Sequence, residues 1–178
     1  MDNSEALERL KNQILGYREL EPDNGYESNV TAIANAILDL AGKTFSRGYI
    51  VKDECIMKSI RCDTIGIYRD KKADKVVFKE RSRPTRGQIN PNEEPLLVIE
   101  CKHYSSKDAG FLDTDRNQLR QYMFAAEFPN GILLSEYKLE VYQYSKQGTT
   151  VAISEIEDKR IDDISNNLSE IIAIVSAF

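Results

Sequence analysis

The chain is expected to fold as an α/β domain, a central mixed sheet flanked by helices. Apolar residues recur at helical spacing near both ends and once in between, and short β-branched or alternating segments lie between those stripes. One segment, Pro95-Leu96-Leu97-Val98-Ile99, is a continuous apolar run, as a strand covered on both faces requires. With 178 residues, 41% hydrophobic and 30% charged, residues 1–178 suit one ordinary core and are read as a single domain without repeat or linker.

The elements follow from spacing. Ala6, Leu7, Leu10, Ile14 and Leu15 form a helical stripe that Ser4 can cap. Pro22-Asp23-Asn24-Gly25 makes a turn, and Val30, Ile33, Ala34, Ile37, Leu38 and Ala41 predict a second helix ending at Gly42. Residues 49–52, 60–69 and 74–78 read as strands, with Arg69-Asp70-Lys71-Lys72 as a hairpin turn. Residues 79–94 are polar, hold Pro84, Gly87 and Pro91, and predict a long loop. After the apolar run, Leu119, Tyr122, Met123 and Ala126 place a helix over 115–128, stopped by Pro129-Asn130-Gly131. Strands over 132–135 and 139–144, a short one near Val151 and a helix over 162–175 complete the order.

Composition excludes several classes. No apolar stretch approaches the roughly 18 residues of a membrane span, and Met1-Asp2-Asn3-Ser4-Glu5 lacks the profile of a signal peptide, so a cytoplasmic protein with no membrane partner is expected. Cys55, Cys62 and Cys101 form no CxxC pair, and with His103 as the single histidine a four-ligand zinc site is not available, which leaves reduced thiols. The net charge of −5 argues against a protein that coats nucleic acid. Lys71, Lys72, Lys75, Lys79, Arg81, Arg83 and Arg86 are nevertheless crowded together, either as a phosphate-contacting face or as a solvated hairpin and loop.

Residues two apart on a strand share a side, so Glu100 and Lys102 project together at the C-terminal edge of the apolar strand, where open α/β sheets tend to place active sites. Asp63 meets Glu100 if its strand neighbours the Leu96 strand. Two carboxylates held together repel, and a hard divalent cation is the usual reason to hold them so. Mg²⁺ or Mn²⁺ there would activate a water and neutralise phosphate charge, with Lys102 orienting the water or stabilising the transition state. Metal, water and cation are the parts that phosphodiester hydrolysis needs. His103 would point away from Lys102 and is left out. Leu40-Ala41-Gly42-Lys43-Thr44 looks like the end of a phosphate-binding loop, but Ile37 stands where its first glycine must be and the segment ends a helix.

Arg61-Cys62-Asp63 followed by Pro95-Leu-Leu-Val-Ile-Glu100-Cys-Lys102 resembles the PD-(D/E)xK nucleases. Gln118-Leu119-Arg120-Gln121-Tyr122 is similar to the QxxxY element on the helix after the catalytic strand in RecB-like nucleases and in the nuclease domain of type I restriction-enzyme motor subunits. The type I domain is the closest in look, over about 27–144. The resemblance implies a restriction-endonuclease-like core and a Mg²⁺- or Mn²⁺-dependent deoxyribonuclease, by default an endonuclease, acting in restriction, defence or DNA processing. It assigns Asp63, Glu100 and Lys102 to catalysis, Asp63, Glu100 and Glu27 to the metal, and Gln118 and Tyr122 to support.

Lys79, Arg81, Arg83 and Arg86 are the expected DNA contacts. Two features depart from the pattern: Cys62 replaces the proline, and the chain ends at Phe178 without a motor, so it is expected to work alone, as a homodimer, or with a motor or specificity protein. The alternative is a silent nuclease-fold module that binds nucleic acid or a partner protein. The residues themselves ask only for metal and phosphate, so RNA stays open.

Overall fold

The computed structural model describes residues 3–20, 27–60, 70–81, 92–104 and 106–178. Helices α1 (Asn3–Arg18) and α2 (Glu27–Leu40) precede strands β1 (Tyr49–Ile56), β2 (Lys72–Glu80) and β3 (Glu93–Cys101). Helix α3 (Asp113–Ala126) follows, then β4 (Asn130–Leu134), β5 (Leu139–Gln147), β6 (Thr150–Glu155) and α4 (Leu168–Ser176). The strands form one six-stranded mixed sheet in chain order. Every neighbouring pair is antiparallel except β3–β4. A parallel pair needs a long crossover, and α3 supplies it.

Period two sorts each strand onto two cores. Val77, Leu97, Ile99, Cys101, Ile132, Leu134 and Val141 pack with the stripes of α1, α2 and α4 on one face. Val76, Phe78, Val98, Leu133 and Tyr142 pack with Leu119, Tyr122, Met123 and Ala126 of α3 on the other. The expected helical stripes and the buried apolar strand are therefore present, and the sheet is mixed and flanked by helices as the sequence predicts.

Boundaries differ for local reasons. The β2–β3 ladder runs on through Lys79↔Glu94 and Glu80↔Glu93 into the segment expected to be loop; the first pair is opposite in charge, and Glu93 of the second is answered by Lys52 Nζ at 2.5 Å. The last helix starts at Leu168, not near 162. Asp163 accepts hydrogen bonds from Ser165 N and Oγ, Asn166 Nδ2 and Arg18 Nη2 at 2.7–3.2 Å, and this holds a tight turn over Ile164–Asn166 ahead of the helix. The strand expected over 60–69 lies outside the described residues apart from Ile60, which closes a short turn after β1. Cys55 and Cys101 are free thiols, whereas Cys62 lies outside the described residues. No helix among the described residues is long and apolar enough to cross a membrane.

The crossover helix sits hard against the sheet at one point. A Cβ built on Gly131 of β4 would lie 2.4 Å from Met123 Sδ and 3.3 Å from a Leu119 methyl. Glycine there lets α3 approach closely, and that approach sets how near the helix comes to the end of β3. Gly131→Val is expected to destabilise the protein by about 1–3 kcal/mol through overpacking, read from the midpoint of urea unfolding. An unchanged midpoint would show that α3 is free to move out.

Candidate active site

Both edges of β3 are occupied, by β2 and by β4. The strand that neighbours the Leu96 strand on its antiparallel side is 72–80. One step beyond the Lys75↔Ile99 pair, this register sets Asp74 across from Glu100. Asp74 is thus the described carboxylate that meets Glu100; Asp63, expected there, lies outside the described residues. Asp74 was legible in part: it sits two residues before Val76, and by period two it shares the face of Val76 and Phe78.

Burial and charge define this pair. Glu100 is 1% exposed, and its Oε2 is buried without a hydrogen-bond partner. Its Oε1 accepts a hydrogen bond from Lys102 Nζ at 2.7 Å. The Asp74 carboxylate accepts from the Cys101 backbone N–H at 2.7 Å, which ties β2 to the end of β3. Burial pushes the Glu100 carboxyl up to about 7; the charge of Asp74 adds to the rise and the Lys102 hydrogen bond opposes it. Burial also raises Asp74, against the pull of the Cys101 N–H and Lys102. Burial alone would lower Lys102, but its hydrogen bond to Glu100 and the charges of Glu100, Glu27 and Asp74 hold its ammonium above the ordinary value.

The remaining expected residues divide. Glu27, at the first turn of α2, reaches round from the other layer to 3.8 Å from Lys102 Nζ. Tyr122 is 1% exposed and accepts a hydrogen bond from Gln118 Nε2 at 2.8 Å, as an i, i+4 pair should. Burial pushes the Tyr122 phenol up to about 12, and the charge of Glu100 adds to it, so it stays a donor near the carboxylates. Glu27, Gln118 and Tyr122 thus gather around Glu100 and Lys102.

Lys79 and Arg81 do not. They lie towards the opposite end of β2, roughly 16 and 23 Å from Asp74 at ~3.3 Å per residue. Arg81 pairs with Glu94 at 3.3 Å. Arg83 and Arg86 lie outside the described residues. Much of the basic stretch is used structurally: Lys75 is fully buried and paired with Asp53, and Lys72 pairs with Glu54 at 3.1 Å.

Two further features shape the site. Glu54 of β1 has φ of 44°, a left-handed conformation that costs a non-glycine residue on the order of 1–3 kcal/mol. By the β1–β2 register it stands level with Asp74, whose carboxyl its charge helps to raise. Beyond β3, His103 Nδ1 bonds the buried Glu136 at 2.5 Å, and Glu136 also accepts from the Tyr104 N–H at 3.3 Å. The Tyr104 hydroxyl donates to Asp115, whose carboxylate in turn accepts from the Leu112 N–H at 2.9 Å. This chain of contacts pins the segment after Lys102 to the turn between β4 and β5 and to the start of α3. Lys43 of the loop-like sequence Gly42-Lys43-Thr44 is buried, bonds the Ser176 carbonyl at 3.3 Å and lies over the Tyr49 ring, so its charge is spent on the end of α4.

Among the described residues no group of three or more His, Cys, Asp or Glu side chains forms a ready metal cage. Asp74 and Glu100 nevertheless fit Mg²⁺ or Mn²⁺, because such ions keep several waters and need only one or two carboxylates beside a phosphate. The unpartnered Glu100 Oε2 is an oxygen suited to such an ion. No family model, curated protein or solved structure matches the chain. The class the site defines chemically is a buried and a half-buried carboxylate from adjacent strands beside an ammonium group.

A raised carboxyl favours the protonated fold. Its stability contribution is present below pH 4.5 and lost as pH rises through about 7. Without divalent ions the melting temperature is expected to fall between pH 5 and pH 8, by the equivalent of about 3 kcal/mol at most. Glu100→Gln should flatten that slope; a slope equal to that of the wild type would show that Glu100 ionises freely.

Proposed function

We propose that the chain is a nuclease that hydrolyses DNA phosphodiester bonds with Mg²⁺ or Mn²⁺, built on a restriction-endonuclease-like core. The observation that carries the reading is the placement of half-buried Asp74 and buried Glu100 on paired strands, with Lys102 bonded to Glu100. The resemblance of the Glu100-Cys101-Lys102 and Gln118 to Tyr122 segments to PD-(D/E)xK nucleases supports the same reading and supplies DNA as the substrate.

Asp74 and Glu100 would hold the ion, with Glu27 in support. A bound divalent ion supplies a water of lowered pKa and neutralises charge on the phosphate. Lys102, kept charged by its acidic neighbours, places a cation where phosphate oxygens gain negative charge. Glu27 steadies that lysine from the opposite layer. Tyr122, protonated and held by Gln118, offers a hydrogen-bond donor beside Glu100. The His103–Glu136 and Tyr104–Asp115 contacts keep Lys102 and α3 in place, which matters because positioning carries much of the catalysis of phosphoryl chemistry.

The test is cleavage of linear and circular DNA in Mg²⁺ and in Mn²⁺. Asp74→Ala and Lys102→Ala are each expected to lower the rate by ~100-fold or more, and Asp63→Ala to leave it near that of the wild type. Either ion should raise the melting temperature of the wild type at pH 8 and not that of Asp74→Asn. Loss of cutting in Asp63→Ala alone would return the metal to Asp63, and a folded wild type that binds DNA without cutting would favour the silent binding module.

A further inference from the structure

A cleft of about 390 Å³ is lined by Lys71, Thr114, Asn117, Gln118 and Gln121. Four of these residues stand at i, i+3, i+4 and i+7 of α3 and so form one face of the helix. In a chain with 30% charged residues, that face carries none. Among the described residues Lys71, just ahead of β2 and near Asp74 in the chain, supplies the single charge of the lining.

The polar groups of this cleft are uncommitted. Among the described residues the side chains of Thr114, Asn117 and Gln121 make no hydrogen bond. Gln118 gives one Nε2 proton to the Tyr122 hydroxyl, which leaves its second N–H as a donor and its carbonyl oxygen as an acceptor. Gln118 therefore belongs to both places, to the wall of the cleft and to the Tyr122 phenol beside Glu100.

Each side-chain amide offers a donor and an acceptor side by side, the pattern that matches the hydrogen-bonding edge of a nucleobase. A lysine on the facing wall is a point charge suited to a phosphate. The volume falls at the low end of the range for small-molecule sites, about 300–1,000 Å³, which suits one nucleotide. The amides line an open cleft together with Lys71, and a base free of its pairing partner presents its whole hydrogen-bonding edge to them.

We infer that this cleft holds one unpaired nucleobase of the DNA strand being cut, read by Asn117, Gln118 and Gln121, with Lys71 on the adjoining phosphate. The inference rests on the nuclease reading and deepens it. The substrate is then single-stranded or frayed DNA, and one base next to the scissile bond sets the affinity.

The experiment uses the full chain and a fluorescent single-stranded oligonucleotide in which one abasic residue is moved through the positions around the cut. For the wild type in Mn²⁺, an abasic residue at one position is expected to raise KM roughly tenfold with kcat within about twofold. The double variant Asn117→Ala and Gln121→Ala, at solvent-accessible sites of a helix that alanine favours, should show the raised KM on the intact strand and no further response to the abasic residue. Equal KM values across all positions for the wild type, or a double variant that still senses the missing base, would overturn the inference. Binding of the same strands by Asp74→Ala, followed by fluorescence anisotropy without metal, separates the two readings. If the wild type never cuts but this variant binds with dependence on one base, the cleft stands and the nuclease reading falls. If the wild type cuts and neither assay depends on a base, the cleft alone falls. If there is neither cutting nor base-dependent binding, both fall.

Discussion

The structure turns on holding two carboxylates side by side, Glu100 buried and Asp74 half-buried. Asp74 and Glu100 raise each other's electrostatic cost, and both carboxyls are pushed upward by their surroundings. An arrangement of this kind persists only where other parts of the fold over-determine it. Here the antiparallel β2–β3 ladder fixes the separation, the Cys101 N–H binds Asp74, and Lys102 answers Glu100 with a full charge. The left-handed Glu54 on β1, level with Asp74, is a second cost at the same place, as strained backbone at working sites tends to be.

Helix α3 is shaped by two demands. Its apolar stripe of Leu119, Tyr122, Met123 and Ala126 fills the core over β3 and β4, and Gly131 lets it come close. Its start is held by Asp115, which joins the cap of the helix to Tyr104 and so to the segment that leaves β3. Position thus passes from the sheet to Gln118 and Tyr122 through packing on one side and hydrogen bonds on the other. The uncharged amide face left over is the part of the helix that the fold itself does not use.

Charge is distributed against first appearances. Among the described residues of the crowded basic stretch, Lys72, Lys75 and Arg81 find separate acidic partners, and the strand sends alternate residues to opposite sides. Lys75 is consumed inside the fold by Asp53, and Lys79 lies far along the strand from Asp74. Positive charge at the site comes instead from Lys102, and from Lys71 at the neighbouring cleft.

Local periodicity carried much of the architecture. The helices were readable from stripes such as Val30, Ile33, Ala34, Ile37 and Leu38, and the central strand from an unbroken apolar run, because burial on one face or on both writes a distinct pattern into neighbouring residues. The shared side of Glu100 and Lys102 and the i, i+4 contact of Gln118 with Tyr122 were determined in the same way, since each depends only on the geometry of one element. Which aspartate joins Glu100 was a different kind of question. Asp63 and Asp74 both precede the central strand in segments with strand-like patterning, and nothing within either segment says which strand it will pair with. Strand pairing and register are non-local, settled by how whole hydrophobic faces match across the sheet, and only the tertiary structure could set Asp74 beside Glu100, bring Glu27 round from the other layer and send Lys79 and Arg81 away from the site.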